Sequence, residues 1–237
     1  LSANANCDNL YMSSADSGGT DDWSNTLDMN DFGLEIDGNI KDSATSTILG
    51  GSGILLINTG ATARVLTLQG TFTKETSTIF IQDETTVTIT DPVNNFTFDG
   101  QSGDDLFLGG TIDIDGTLTL QDNTRSIIGG KLLCSGNVVL NEDNMQVSGG
   151  TILEFDGTGT QTVTGTGNDL PSLKFSHSGT VDFQIDVTIL GDAPKLLEYV
   201  SGTVDFTGTE VTFSGLTSAT VEIDAGTIDF DDVRFIS

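Results

Sequence analysis

Apolar residues in this chain come in short runs of about four, parted by Gly, Asn or Asp, with no helical spacing between them. In Thr86-Val87-Thr88-Ile89-Thr90 the alternation places Val87 and Ile89 on one face and the threonines on the other. From Gly109 to Phe155 the runs become periodic. Gly-Gly pairs stand at 109–110, 129–130 and 149–150, a step of 20 residues each time. A fixed period near 20 made of strands and turns predicts a β-solenoid. The phrase Gly-Thr-Val/Ile-Asp-Phe/Ile recurs at Gly110–Ile114, Gly179–Phe183, Gly202–Phe206 and Gly226–Phe230, with a variant at Gly150–Phe155. The last three starts lie 23 and 24 residues apart. Each phrase supplies one strand, and its opening Gly is expected at a corner that needs positive φ.

These patterns predict an all-β chain folded as a right-handed parallel β-helix (β-solenoid) of roughly 20–24 residues per coil and about eight to ten coils. Strands are expected over Leu34–Asp37, Thr47–Leu49, Ile54–Ile57, Arg64–Leu68, Thr78–Ile81, Thr85–Thr90 and Asn95–Phe98. In a three-faced coil Ile112, Ile114, Leu118 and Leu120 stack over their equivalents in the next layer. The alternative is an antiparallel sandwich of short strands, which turns every 8–12 residues suit equally.

Two stretches depart from the pattern. Residues 1–32 are polar with scattered anchors at Leu10, Tyr11, Trp23, Leu27 and Phe32, and they read as an N-terminal arm or cap ahead of a solenoid at 33–237. At the other end, Asp229-Phe230-Asp231-Asp232-Val233-Arg234-Phe235-Ile236-Ser237 keeps a strand pattern with no amphipathic cap helix after it. A solenoid end exposes strand edges and apolar core. The expectation is therefore a cut fragment or an end covered by another subunit. Leu1 in place of Met reads as the mature start of an exported chain.

Charge narrows the partners. Lys plus Arg total 8 against 35 Asp plus Glu, a formal charge of −27. Phosphate recognition needs a basic footprint, so nucleic acid is a poor partner, as is an anionic membrane surface. No ~20-residue apolar span is present for membrane insertion. Self-repulsion calls for salt, divalent cations or a polymeric context. The cysteines are Cys7 and Cys134, and a bond between them would tie the arm to the body; two unpaired thiols are the alternative, with Cys134 a small buried residue.

The stretch 149–192 resembles the repeats of bacterial secreted and cell-surface parallel β-helix proteins of adhesin type. Phe155-Asp156-Gly157-Thr158-Gly159, then Gln161-Thr162-Val163-Thr164-Gly165, then Leu173-Lys174-Phe175, then Ser178-Gly179-Thr180-Val181 follow the order of those repeats. The close likeness covers about 45 residues, with looser echoes from roughly 105 onward. What the resemblance implies is the β-helix fold and an adhesin-like or structural surface role.

Candidate chemistry is sparse. His177 is the sole histidine, so a Ser-His-Asp constellation would have to use it. Its setting in Phe175-Ser176-His177-Ser178-Gly179 reads as a surface turn. The Gly-His-Gly of β-helix polygalacturonases is absent, basic residues do not cluster, and one His with two distant Cys argues against zinc. Carboxylate pairs are too common among the acids to inform. Calcium is the candidate ion, with Asp113, Asp115, Asp104 and Asp105 as candidate ligands and a solvated acidic surface as the bland reading. Asp113, Asp182, Asp205 and Asp229 share one phrase position; stacked in adjacent coils they would lie ~5 Å apart and favour cations or raised pKa values. Asn95-Phe96-Thr97 matches a glycosylation sequon. Thr-x-Thr pairs raise ice binding, but they do not recur at one coil position.

The expectation is a non-enzymatic extracellular or cell-surface structural protein. It would be a subunit that polymerises with itself head to tail into a filament or surface layer, with Leu10, Tyr11, Trp23, Phe235 and Ile236 at the contacts. The alternatives are an adhesin fragment that binds glycans or a surface as a monomer, and a carbohydrate-active β-helix enzyme.

Overall fold

The computed structural model describes residues 3–7, 10–12, 26–42, 44, 46–57, 64–100, 104–121, 126–141, 145–191, 193–214, 220–223 and 228–236. They form a β-solenoid of about nine turns, with no helix among them. Every strand pairing is parallel, which removes the antiparallel sandwich. Strands in the body of the stack bond to the strands one turn below and one turn above, as a triangular coil requires, whereas those of the first and last turns and a few others, such as Thr71–Thr73 and Gln146–Ser148, pair on one side among the described residues.

The described strands within residues 1–32 belong to the solenoid and not to a separate arm. Ala5–Cys7 pairs with Leu34–Ile36, Leu10–Met12 with Ile40–Asp42, and Thr26–Asp28 with Thr47–Leu49. These three strands supply the three faces of the first turn. Their anchors pack where an inward residue should: Leu10 and Leu27 are partly buried against the core. Trp23 lies outside the described residues. The short strands Ile40–Asp42 and Thr71–Thr73 also escape the sequence pattern, because three residues give too little alternation to see.

The periodic middle follows its predicted register. Ile112 stacks on Leu132, Ile114 on Cys134, Leu118 on Val138 and Leu120 on Leu140. All eight are essentially inaccessible to solvent. Stacking in register also makes columns of like side chains. Phe155 lies on Phe175 with centroids 5.3 Å apart, and Phe183, Phe206 and Phe230 form a second column at 4.3 and 5.1 Å. Offset ring stacks contribute about 0.5–1.5 kcal/mol each beyond their burial.

The Gly-Gly pairs mark the corner between the second and third faces. Gly129, Gly130, Gly149 and Gly150 have φ of 72°, 61°, 69° and 73°. A Cβ on Gly130 would overlap the Gly110 carbonyl oxygen of the turn below, whereas one on Gly150 meets nothing within 4 Å. The Gly that opens the recurrent phrase has positive φ at Gly202 but not at Gly110 or Gly179. At Gly179 the constraint is close approach instead, since a Cβ there would strike the Gly159 carbonyl. The phrase also serves two faces. Its copies at 180–183, 203–206 and 229–230 stack on the first face, while those at 111–114 and 152–155 belong to the third.

The other corners use side chains that reach across turns. Asn39, Asn95 and Asn137 accept the main-chain N–H of Val65, Thr117 and Thr162 at 2.9 Å each. Asp91, Asp186 and Asp231 do the same for Phe72, Glu210 and Gly208. Asn95 also reaches the Thr78 hydroxyl, so the amide of the sequon is a half-buried corner cap. Gln161, which is buried, accepts from Gly157 N at 3.1 Å and donates to the carbonyls of Cys134 and Gly136 at 2.9 and 2.8 Å. Gln161 is thus a staple between turns.

Cys134 is a free, buried thiol, so the bridge to Cys7 is not formed. The register explains why. Cys7 pairs with Ile36, and the column runs on through Ile57, Ile81 and Phe98 to Leu120, in the turn that also carries Cys134. Five strand spacings amount to roughly 24 Å, far beyond the ~7 Å between Cα atoms that a disulfide spans. Burial pushes the Cys134 thiol up to about 12.

Two outcomes are expected. Gly150→Ala loses about 1 kcal/mol, the left-handed penalty. Gly130→Ala adds a backbone clash and loses at least about 2 kcal/mol more. Urea melts of the two variants provide the comparison, and equal losses would contradict the corner packing. In a Cys7→Ser variant, a thiol reagent labels no cysteine until denaturant is added and then labels one; native labelling would show Cys134 accessible.

Candidate functional site

The only cross-turn charge network with a buried member lies on the outer side of the third face, among the described residues. Lys131, Glu154 and Lys174 come from three successive turns. Leu133, Glu154 and Lys174 are opposite one another in the ladder, and Lys131 sits two residues before Leu133. Leu153 and Phe155 point inward, so Glu154 points out, yet it is only 6% exposed because its neighbours fold over it. Lys131 Nζ donates to Glu154 Oε2 at 2.5 Å, Ser176 Oγ to Oε1 at 2.5 Å, and Lys174 Nζ lies 3.4 Å from Oε1. Burial alone would raise the carboxyl; the hydrogen bonds from Lys131 and Ser176 and the two ammonium charges outweigh it and hold Glu154 below its ordinary range. One turn further on, Lys195 bridges Glu198 at 2.8 Å and Glu222 at 2.9 Å, and those two hydrogen bonds raise it. Three of the five lysines of the chain therefore stand in one strip. Sequence reasoning missed the strip. Its signal was the 20-residue step itself, which puts positions 133 and 154 in one column once the corner insertion is counted.

The proposed calcium ligands fall into two groups. Asp104 and Asp105 open the strand Asp105–Leu108 on the second face, beside Asp83 and Glu84 of the turn below. Asp104 is pushed up, first by burial and then by Asp83, Glu84 and Asp105. Asp113 lies on the third face, opposite Leu133, and Asp115 is ion-paired with Lys74. Asp113 instead contributes to raising Asp156, where burial is the larger cause. Among the described residues no three His, Cys, Asp or Glu side chains converge as a metal site would require.

The acid column is real for part of its length. Asp182 pairs with Asp205, and Asp205 with Asp229, on the first face. Asp113 is not in it. The expected upward shift does not occur at Asp205, which the Thr207 hydroxyl and main-chain N–H hold low.

His177 is not a surface residue. It is 0% exposed, at the corner between the third and first faces. Its Nε2 lies 2.7 Å from the Thr203 carbonyl oxygen, which fixes Nε2 as the donor. Its ring meets Phe175 edge to face at 6.0 Å, and a Cβ on Gly202 would run into it. The nearby hydroxyls serve other partners: Ser201 Oγ bonds the main-chain carbonyl of His177 at 2.8 Å, and Ser176 Oγ bonds Glu154. Neither approaches the ring as a nucleophile would. The imidazole holds a corner, as Gln161 does one turn earlier. A lone His inside the polar pentapeptide 176–180 gave no sign of burial.

Of the assembly residues, Phe235 and Ile236 lie on the last strand, Asp229–Ile236, and are 61% and 39% exposed. Leu10 and Tyr11 lie on Leu10–Met12 of the first turn, opposite Ile40 and Lys41.

Glu154→Gln is expected to cost about 1–2 kcal/mol, the buried-pair loss discounted because both lysines are partly exposed. Because the folded pKa lies below the ordinary 4.5, Glu154's contribution is complete above that pH and lost as pH falls through the depressed value. The difference between wild type and variant in urea melts should therefore shrink below about pH 4. A difference that is absent at pH 7 would show the network to be screened.

Comparison with protein-family models, with curated proteins and with solved structures finds no match to this chain.

Proposed function

We propose that this chain is an extracellular, non-enzymatic structural solenoid that polymerises with itself, the last turn of one copy receiving the first turn of the next. The observation that carries the reading is the state of the last described strands. Phe235 stacks on the buried Phe213 at 5.3 Å, which places it inward, yet it stays mostly exposed. Val221, Ile223 and Ile236 are also exposed there. Nothing among the described residues pairs the outer edge of Asp229–Ile236 or of Thr220–Ile223. Exposed apolar strand edges are templates for pairing.

The first turn offers a matching surface. Its three strands are parallel to those above, and Ala5, Leu10 and Leu27 are only partly buried. A second copy set on the last turn would continue the sheets with the same strand direction and lay aliphatic side chains on the Phe230 and Phe235 rings. This contact is heterologous, so it propagates into a filament when the rotation does not close. The charge of −27 opposes it, and millimolar Ca²⁺ or salt offsets that repulsion. The resemblance to secreted and cell-surface β-helix repeats supports the extracellular setting.

Negative-stain images should show fibres of uniform width, promoted by Ca²⁺ or salt. Phe235→Asp and Leu10→Asp should each give isolated rods with unchanged β circular dichroism. Mixed in equal amounts, these two variants retain one competent end each and should stop at dimers by light scattering. Rods from the wild type under all conditions, or fibres from the mixture, would refute the head-to-tail contact.

A further inference from the structure

Over three successive turns the corner between the first and second faces is built from residues 165–168, 184–186 and 207–209. It frames an open cleft of about 390 Å³. That volume falls within the range of small-molecule sites, about 300–1,000 Å³. Asn168, Gln184, Asp186 and Thr209 line it, with Ile185 and glycine main chain between them.

The polar groups are held in place. Gln184 Nε2 donates to Asp182 Oδ2 at 2.7 Å, which fixes the amide and leaves its Oε1 as an acceptor. Asp186 Oδ1 accepts from Glu210 N at 2.7 Å, leaving its second oxygen as an acceptor. The main-chain carbonyl of Asn168 receives Thr188 N–H at 2.7 Å, while its side chain offers one acceptor and two donors. Thr209 is buried and anchored to the Phe206 carbonyl at 2.8 Å.

The lining selects a ligand by elimination. It has no Lys or Arg, so a phosphate or carboxylate finds no counter-charge in a chain of net −27. It has one carboxylate, too few to strip the hydration shell from a hard cation. Ile185 alone is apolar, too little for a hydrophobic guest. What fits is a neutral molecule with many hydroxyls that both donate and accept, and with a C–H face to set against Ile185. We propose that this corner cleft binds a neutral saccharide. The inference does not require filament formation: the cleft lies at the corner between the first and second faces, with Gly208 of its wall bonded to Asp231 of the last strand at 3.0 Å.

The test titrates the full chain with neutral gluco-, manno-, galacto- and xylo-oligosaccharides of three to six residues, followed by saturation-transfer NMR and calorimetry. At least one series should bind saturably. Asn168→Ala combined with Gln184→Ala should weaken it at least tenfold with an unchanged thermal midpoint. Thr166→Trp, at an exposed position on the rim, should block it without touching the anchored groups. Absence of saturable binding across the panel would overturn the proposal, as would binding that survives both variants undiminished.

Discussion

The constraint on which this structure depends is that no strand among the described residues finds a hydrogen-bond partner within its own turn. Each main-chain donor and acceptor of a strand must be met by the turn below or the turn above, in register. The register then propagates from turn to turn, and a strand shifted by one residue would turn its inward side chains outward. Everything irregular sits at corners, where the chain changes face and the ladder is interrupted. There the polar groups are satisfied one by one: by Asn39, Asn95 and Asn137, by Asp91, Asp186 and Asp231, and by the buried Gln161 and His177. Part of the acidic excess is therefore structural, since these aspartates act as acceptors for the next turn.

The same register decides which columns are favourable. Stacked Phe rings gain from repetition, and the Phe183–Phe206–Phe230 column rises without interruption through the last turns. Stacked carboxylates lose by it. The chain tolerates Asp182–Asp205–Asp229 because the column is on the outer face, in water, and because Thr207 donates to Asp205. Covered carboxylates are satisfied in two ways: Glu154 is enclosed by Lys131 and Lys174, whereas Asp42 accepts the main-chain N–H of Gln69 and Gly70 and Asp99 accepts from the Gln121 amide.

How far this was legible in the sequence follows from the same physics. The solenoid was readable because turns of equal length repeat their Gly-Gly corner every 20 residues, and the inward positions of 112–120 followed from alternation alone. The first turn was not readable. Its strands are three residues each within a polar stretch of sequence, and only pairing with the next turn shows that they belong to the coil. The Cys7–Cys134 pairing failed because sequence does not reveal how many strand spacings separate two turns. The candidate calcium ligands failed to converge because neighbours in sequence lie on different faces, as Asp105 and Asp113 do. His177 and Gln161 were hidden for a related reason. A corner between faces can fold inward as readily as outward, and composition does not say which.

It follows that the two places where this fold can acquire a specific activity are its corners and its ends. The flat faces are committed to the ladder, and their outward residues are set by column rules that leave little choice. A corner has no such obligation beyond satisfying its own main chain, so its side chains can change without disturbing the strands on either side. An end is the converse: its backbone is unsatisfied by construction, and whatever covers it must copy the strand direction and spacing of the turn beneath. Another solenoid turn, of the same chain or of a second one, meets that demand with the least rearrangement and would set its inward side chains on the Phe230 and Phe235 rings.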